Sequence, residues 1–167
     1  MKSPLIKPPL DTRLIDPSRE LLPDPKTVER THDEVVSYIA EELYQFPTPE
    51  YPHFRTTINV PEAQQRIFTN YGRELIPDIV VLEWPERIVR IIGEVAVPQD
   101  LTMDTALDQW LPESRLVDVA FYLYLPAGFL KQAKVLLKDA GIKKKDVGLR
   151  TWRRLARMGA PDIAMFA

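Results

Sequence analysis

Three apolar runs, residues 76–84, 87–97 and 117–125, constrain this chain more than any other feature. They are short, rich in Val, Ile and Leu, and bounded by turn residues, which is the pattern of strands. Pro85-Glu86 between the first two suits a tight hairpin turn. The third run is apolar apart from Asp118 and has the character of a strand buried on both faces. Such strands need helices above and below them. Residues 27–45 supply one, with Thr31 and Glu34 at capping-box spacing, Thr27 as a second cap, and prolines 47, 49 and 52 ending it. Its stripe is Val28, His32, Val35, Val36, Ile39 and Leu43. Residues 102–111 read as a second helix, starting near Thr102 or Asp104. Residues 129–140 read as another, with Gly141 where a left-handed C-terminal residue belongs. Residues 61–75 suit a helix with Pro61 in its first turn and an end near Gly72. Strands are expected at 54–60 and 147–152 as well. The order predicts an α/β fold (α+β in its mixed sheet) with helices on both faces.

Six of the sixteen prolines fall in residues 1–26, which excludes a regular helix or a central strand there. That segment reads as an extended Pro-rich N-terminal arm. Its leucines suit it to strap onto residues 27–167, read as a single domain, or onto a second subunit in a homodimer. Length, at 167 residues, is that of one domain, and 45% hydrophobic with 28% charged residues is ordinary for a globular protein. The absence of cysteine excludes disulfides and thiolate metal sites. No stretch is long and apolar enough for a signal or a bilayer span, so the expected location is cytoplasmic, with no membrane partner.

The net charge of −2 hides an asymmetry. Residues 131–157 hold ten Lys or Arg against two Asp, a local net of +8, leaving −10 elsewhere. Within it, Lys143, Lys144, Lys145, Arg150, Trp152, Arg153, Arg154 and Arg157 interleave basic and aromatic character. They are the candidate nucleic-acid contact. The plainer reading is a solvated helix end and loop.

Two carboxylates stand out. Alternation along 87–97 sets Arg90, Ile92, Glu94 and Ala96 on one face and Val89, Ile91, Gly93, Val95 and Val97 on the other. Glu94 thus lies in the most apolar strand, where a charge is costly unless paired or bound to a cation. Asp78 precedes Ile79-Val80-Val81-Leu82 with the same problem. Sixteen residues apart across a hairpin, the two can meet at one point, as in sites for Mg²⁺ or Mn²⁺. Alternatively, Asp78 is an ordinary strand-start residue and Glu94 pairs with Arg90.

The run Ile76-Pro77-Asp78-Ile79-Val80-Val81 followed by Ile92-Gly93-Glu94-Val95-Ala96 resembles the PD-(D/E)xK nuclease superfamily. Asp118 to Pro126, a strand that follows a helix and ends near a proline, is similar to the Uma2-like branch of it. The resemblance covers roughly residues 27–140. It implies a restriction-endonuclease-like core and a Mg²⁺- or Mn²⁺-dependent DNA endonuclease or phosphodiesterase. Asp78, Glu94 and the Val95 carbonyl would be ligands. A glutamate from the first helix would join them, for which Glu42 flanks the stripe best. Ala96 stands where the motif has lysine, the residue that activates water and offsets developing charge. In branches where that lysine moves to the next helix, the position falls at Gln109 or Trp110. Arg115 and Lys131 are the cations that could reach in. A relative without the lysine would be a catalytically inactive domain that binds nucleic acid or a protein partner, or that oligomerises.

Other chemistries lack their residues. Two histidines without matching acidic spacing do not make a zinc site. Six glycines give no Walker or Rossmann spacing, and no serine sits in a nucleophile elbow. His32, in the first helix's stripe, reads as a satisfied core or interface histidine rather than a ligand, and His53 as a loop residue. Trp84, Trp110 and Trp152 could stack on bases, although core or interface packing is the commoner use.

Overall fold

The computed structural model describes the backbone of residues 25–154 and 163–166. The Pro-rich arm, apart from its last two residues, and Arg157 lie outside the described residues, as does the proposed dimer contact through that arm. Helix α1 (Pro25–Leu43) leads into β1 (Phe54–Ile58) and the short strands β2 (Ile67–Phe68) and β3 (Glu74–Leu75). Then come β4 (Ile79–Glu83), β5 (Ile88–Val95), α2 (Met103–Thr105), α3 (Leu111–Ser114), β6 (Ala120–Pro126), α4 (Leu130–Asp139), β7 (Gly148–Arg154) and β8 (Ile163–Phe166).

The main sheet has the order β1-β4-β5-β6-β7-β8. Strands β1, β4 and β5 form an antiparallel meander, β5, β6 and β7 run parallel, and β8 returns antiparallel to β7. The two parallel steps cross over through α2–α3 and through α4, the connections that parallel pairing demands. Both faces of the sheet are covered. Val35, Val36 and Ile39 of α1 pack with Ile79, Val81, Val95 and Tyr124. Ala106 and Trp110, with Ala133 and Leu137 of α4, pack with Val80, Ile92, Phe121 and Leu123 on the opposite face. Among the described residues no helix is long and apolar enough to cross a membrane.

Local departures from the sequence pattern have physical causes. Residues 61–75 hold no helix; β2 and β3 pair there, closed by Gly72 in the left-handed region at φ 78°. The register of β4 with β5 shifts between Val81 and Leu82, skipping Arg90. That bulge moves Val89 onto the face it was expected to avoid, against the Ile92 cluster. Arg90 turns to Glu83, Nε to Oε2 2.5 Å, so it does not pair with Glu94. The third strand starts later than its apolar run, because Asp118 takes a left-handed turn (φ 58°) and Val117 is exposed. Gly141 fills its expected left-handed place after α4 at φ 78°.

The helix leading to β6 is irregular. Residues 106–110 form a π-helical turn, with the Leu111 N–H donating to Ala106 O, five residues back. Pro112 explains it. A proline has no N–H for the carbonyl four residues earlier and its ring clashes with it. Widening the turn removes the clash, and the Asp108 carbonyl accepts instead from Arg73 Nη2 at 2.5 Å.

Candidate functional site

The start of β4, the end of β5 and the last turn of α3 bring three carboxyl groups to one buried place. Asp78 stands just before β4, held there by Asn59. The Asn59 N–H donates to the Asp78 carbonyl (2.9 Å), and its side-chain Nδ2 donates to the carbonyls of Pro77 and Gln65, both at 2.7 Å. Asp78 Oδ2 accepts the Val95 N–H at 2.8 Å across the hairpin. Glu94 is 7% exposed and hydrogen-bonds to both Asp78 and Glu113. Glu113 is 3% exposed, and its Oε2 is buried with no partner.

Burial is the largest influence on Glu94, and the neighbouring Glu113 and Asp78 carboxyls add to it, so its pKa lies well above the usual carboxylate range. Burial also raises Glu113, partly opposed by its hydrogen bond with Glu94, to about 8. The pair therefore keeps a proton between its two carboxyls at neutral pH. Asp100, raised by burial, accepts the Val97 N–H at 2.9 Å beside the same strand end.

The cation of the site is His32. Its Nε2 lies 3.1 Å from Asp78 Oδ2 and its Nδ1 3.1 Å from Asp33 Oδ1. Burial works against its charged form, but the hydrogen bond and charge of Asp78, with help from Asp33 and Asp100, outweigh it and raise its pKa to about 9. At neutral pH it is an imidazolium with both ring nitrogens committed to carboxylates.

Of the residues expected here, Asp78, Glu94 and the Val95 backbone come together. The others do not. Glu42 flanks the stripe near the end of α1 but is exposed; the first helix sends His32 instead. Gln109 is exposed on the outside of the π turn, and Trp110, 1% exposed, belongs to the core. Arg115 is exposed and lines a cavity with Ile88 and Val89, at the opposite end of β5 from Glu94. Ala96 is 2% exposed within the apolar cluster that includes Trp110 and Leu125. Trp152 is also a core residue, 5% exposed, with Nε1 donating to the Ala96 carbonyl at 3.2 Å, so it is no stacking surface. Lys143, Lys144, Lys145, Arg150 and Arg153 are exposed, and Arg150 lies over the Tyr122 ring at 5.8 Å. Arg154 is the last residue of β7.

Among the described residues no three His, Cys, Asp or Glu side chains form a ready-made metal cage. The carboxyls are instead arranged to share protons and hydrogen bonds. The donor set still suits a hard divalent cation: it offers only oxygens, and the unpartnered Glu113 Oε2 is the orphan atom a cation would satisfy. Such an ion would compete with His32 for Asp78. No family model, no curated protein and no solved structure matches the chain.

Proposed function

We propose that the chain is a metal-dependent phosphodiester hydrolase acting on DNA, built on the restriction-endonuclease-like plan. The observation that carries this reading is the meeting of Asp78, Glu94 and Glu113 in an apolar interior with one carboxyl oxygen left unpartnered. Acids do not gather in such a place unless protons or a cation balance them. The element order supports it too: a first helix, a three-stranded meander bearing both motifs, a crossover helix, and a parallel strand ending at Pro126.

Asp78 and Glu94 would hold Mg²⁺ or Mn²⁺ with the Val95 carbonyl, and the unpartnered Glu113 oxygen would lie beside it. The ion would supply an activated water and offset charge on the phosphate. His32 takes the part of the missing lysine. Among the described residues it is the cationic side chain in contact with Asp78, with Nε2 3.1 Å from Oδ2. A second reading, a catalytically silent relative that only binds, is favoured by Ala96, sealed in the core where the motif has its lysine.

Manganese titration followed by thermal melting and by plasmid nicking separates the two. On the hydrolase reading, Mn²⁺ raises the melting temperature and supports nicking, and Asp78→Ala loses both. His32→Gln keeps the stabilisation but loses nicking. Stabilisation without nicking by the native chain selects the silent relative. No stabilisation at all, or equal nicking by Asp78→Ala, ends the metal-site reading.

A further inference from the structure

Of the three tryptophans, Trp84 alone meets solvent, at 43% exposure. It follows β4 directly, at the turn into β5. Two guanidiniums flank it. Arg87 lies over the indole with Cζ 5.4 Å from the ring centroid, a cation–π contact. The tight turn holds Arg87 in the left-handed region (φ 58°), uncommon for a non-glycine residue. Gln65 is the strut: its Oε1 accepts from Arg87 Nη2 at 2.9 Å, and its Nε2 donates to the Arg66 carbonyl at 2.9 Å. Asn59 in turn fixes this loop, its Oδ1 accepting the N–H groups of Gln64 and Gln65, both at 2.7 Å. Arg55 is anchored by Nη1 on the carbonyls of Pro52 and Phe54 at 2.8 and 2.7 Å, which leaves its charge uncompensated. Among the described residues neither Arg55 nor Arg87 has a carboxylate within 4.0 Å, and neighbouring Glu83 is taken by Arg90. Together these groups line an open cavity of about 480 Å³ over Leu82.

We propose that this cavity is a stacking site for an unpaired base of a single-stranded nucleic acid. The Trp84 indole supplies the apolar face, Arg55 and Arg87 meet the flanking phosphates, and the Gln64 amide meets the base edge. Such platforms combine aromatic faces with cationic grooves, and a base inside a duplex offers no free face to them. The site does not rest on the hydrolase reading. Asp78 precedes β4 and Trp84 follows it, six residues of extended chain or about 20 Å.

The test uses the full chain in EDTA, titrated with an oligothymidylate of about twelve nucleotides, the scale of one such module. Quenching of tryptophan emission by the strand reads Trp84, since Trp110 and Trp152, 1% and 5% exposed, are out of its reach. Saturable quenching is expected. By anisotropy of a labelled strand, Trp84→Leu binds roughly ten-fold or more weakly, while Trp84→Phe keeps most of the affinity. Arg55→Gln and Arg87→Gln each weaken binding and flatten the slope of log affinity against log salt by about 0.7. No quenching, native affinity in a folded Trp84→Leu variant, or a blunt duplex binding as tightly as the strand overturns the proposal. Thymidine monophosphate binding as tightly as the strand also overturns it, in favour of a free nucleotide. EDTA removes divalent metal, so failure at the carboxyl cluster leaves the result untouched.

Discussion

At the scale of single residues, the site is a set of groups whose protons are displaced by folding. Glu113 holds its proton to about pH 8 in the folded chain, against an ordinary value of 4.5, because burial penalises its anion. His32 holds its proton to about pH 9, against 6.5, because Asp78 outweighs burial. In both cases the folded state binds more protons than the unfolded one, so stability falls as pH rises. The window is 4.5 to 8 for Glu113 and 6.5 to 9 for His32. The metal-free protein should therefore lose several degrees of melting temperature between about pH 5 and pH 9. Glu113→Gln should flatten the lower part of that fall and His32→Asn the upper part. A melting temperature that climbs across this range would contradict the whole account. Asp78 and Glu94 were legible in the sequence because carboxylates in apolar strands need a reason. His32 and Glu113 were not. The partner of His32 lies 46 residues away, and Glu113 follows Pro112 with nothing local to separate it from a solvated helix acid.

At the scale of elements, the strands were readable because their apolar runs are dense. The misreadings fall where one residue overrides a pattern. Arg90 drops out of the ladder to reach Glu83, and Pro112 widens a helix into a π turn. Residues 61–75 carry too little periodicity to choose between a helix and the hairpin of β2 and β3. Pairing between β6 and β7 offers a quantitative test of packing. Tyr122 and Gly148 are directly opposed, and the Tyr122 ring lies across the glycine. A Cβ on residue 148 would stand 2.5 Å from Tyr122 Cδ1 and 2.7 Å from Cε1, which no contact tolerates. Gly148→Ala must push the ring off its seat and away from Arg150, at a cost of roughly 1–3 kcal/mol. Tyr122→Ala in the same chain should remove most of the additional penalty. Chemical denaturation of the two single variants and the double variant gives the coupling. Additive losses would mean that the ring does not rest on Gly148.

At the scale of the whole molecule, charge and chemistry are set on well-separated strands of one sheet. The Trp84 cavity is built on β1 and β4, and the basic segment on α4 and β7. Charge counting along the sequence pointed to the second. Burial of Trp152 removes its aromatic member, and what remains is a cavity of about 450 Å³ with Leu137, Ile142, Val147 and Leu149 under a lysine rim. Strands β1 and β7 are four strand spacings apart, about 19 Å. That is more than twice the screening length of about 8 Å at physiological ionic strength, but within the roughly 30 Å that applies at 0.01 M salt. The two places should therefore be electrically independent in one condition and coupled in the other. Reversing Lys143 and Lys144 together to Glu should leave oligothymidylate affinity within about two-fold at physiological salt. At about 0.01 M salt the same variant should bind several-fold more weakly, because the repulsion then reaches β1 unscreened. Quenching of Trp84 measures both. Loss of binding at both salt concentrations would move the nucleic-acid contact to the lysines, where the sequence alone had put it. Loss at low salt only is what two sites four strands apart on one sheet require.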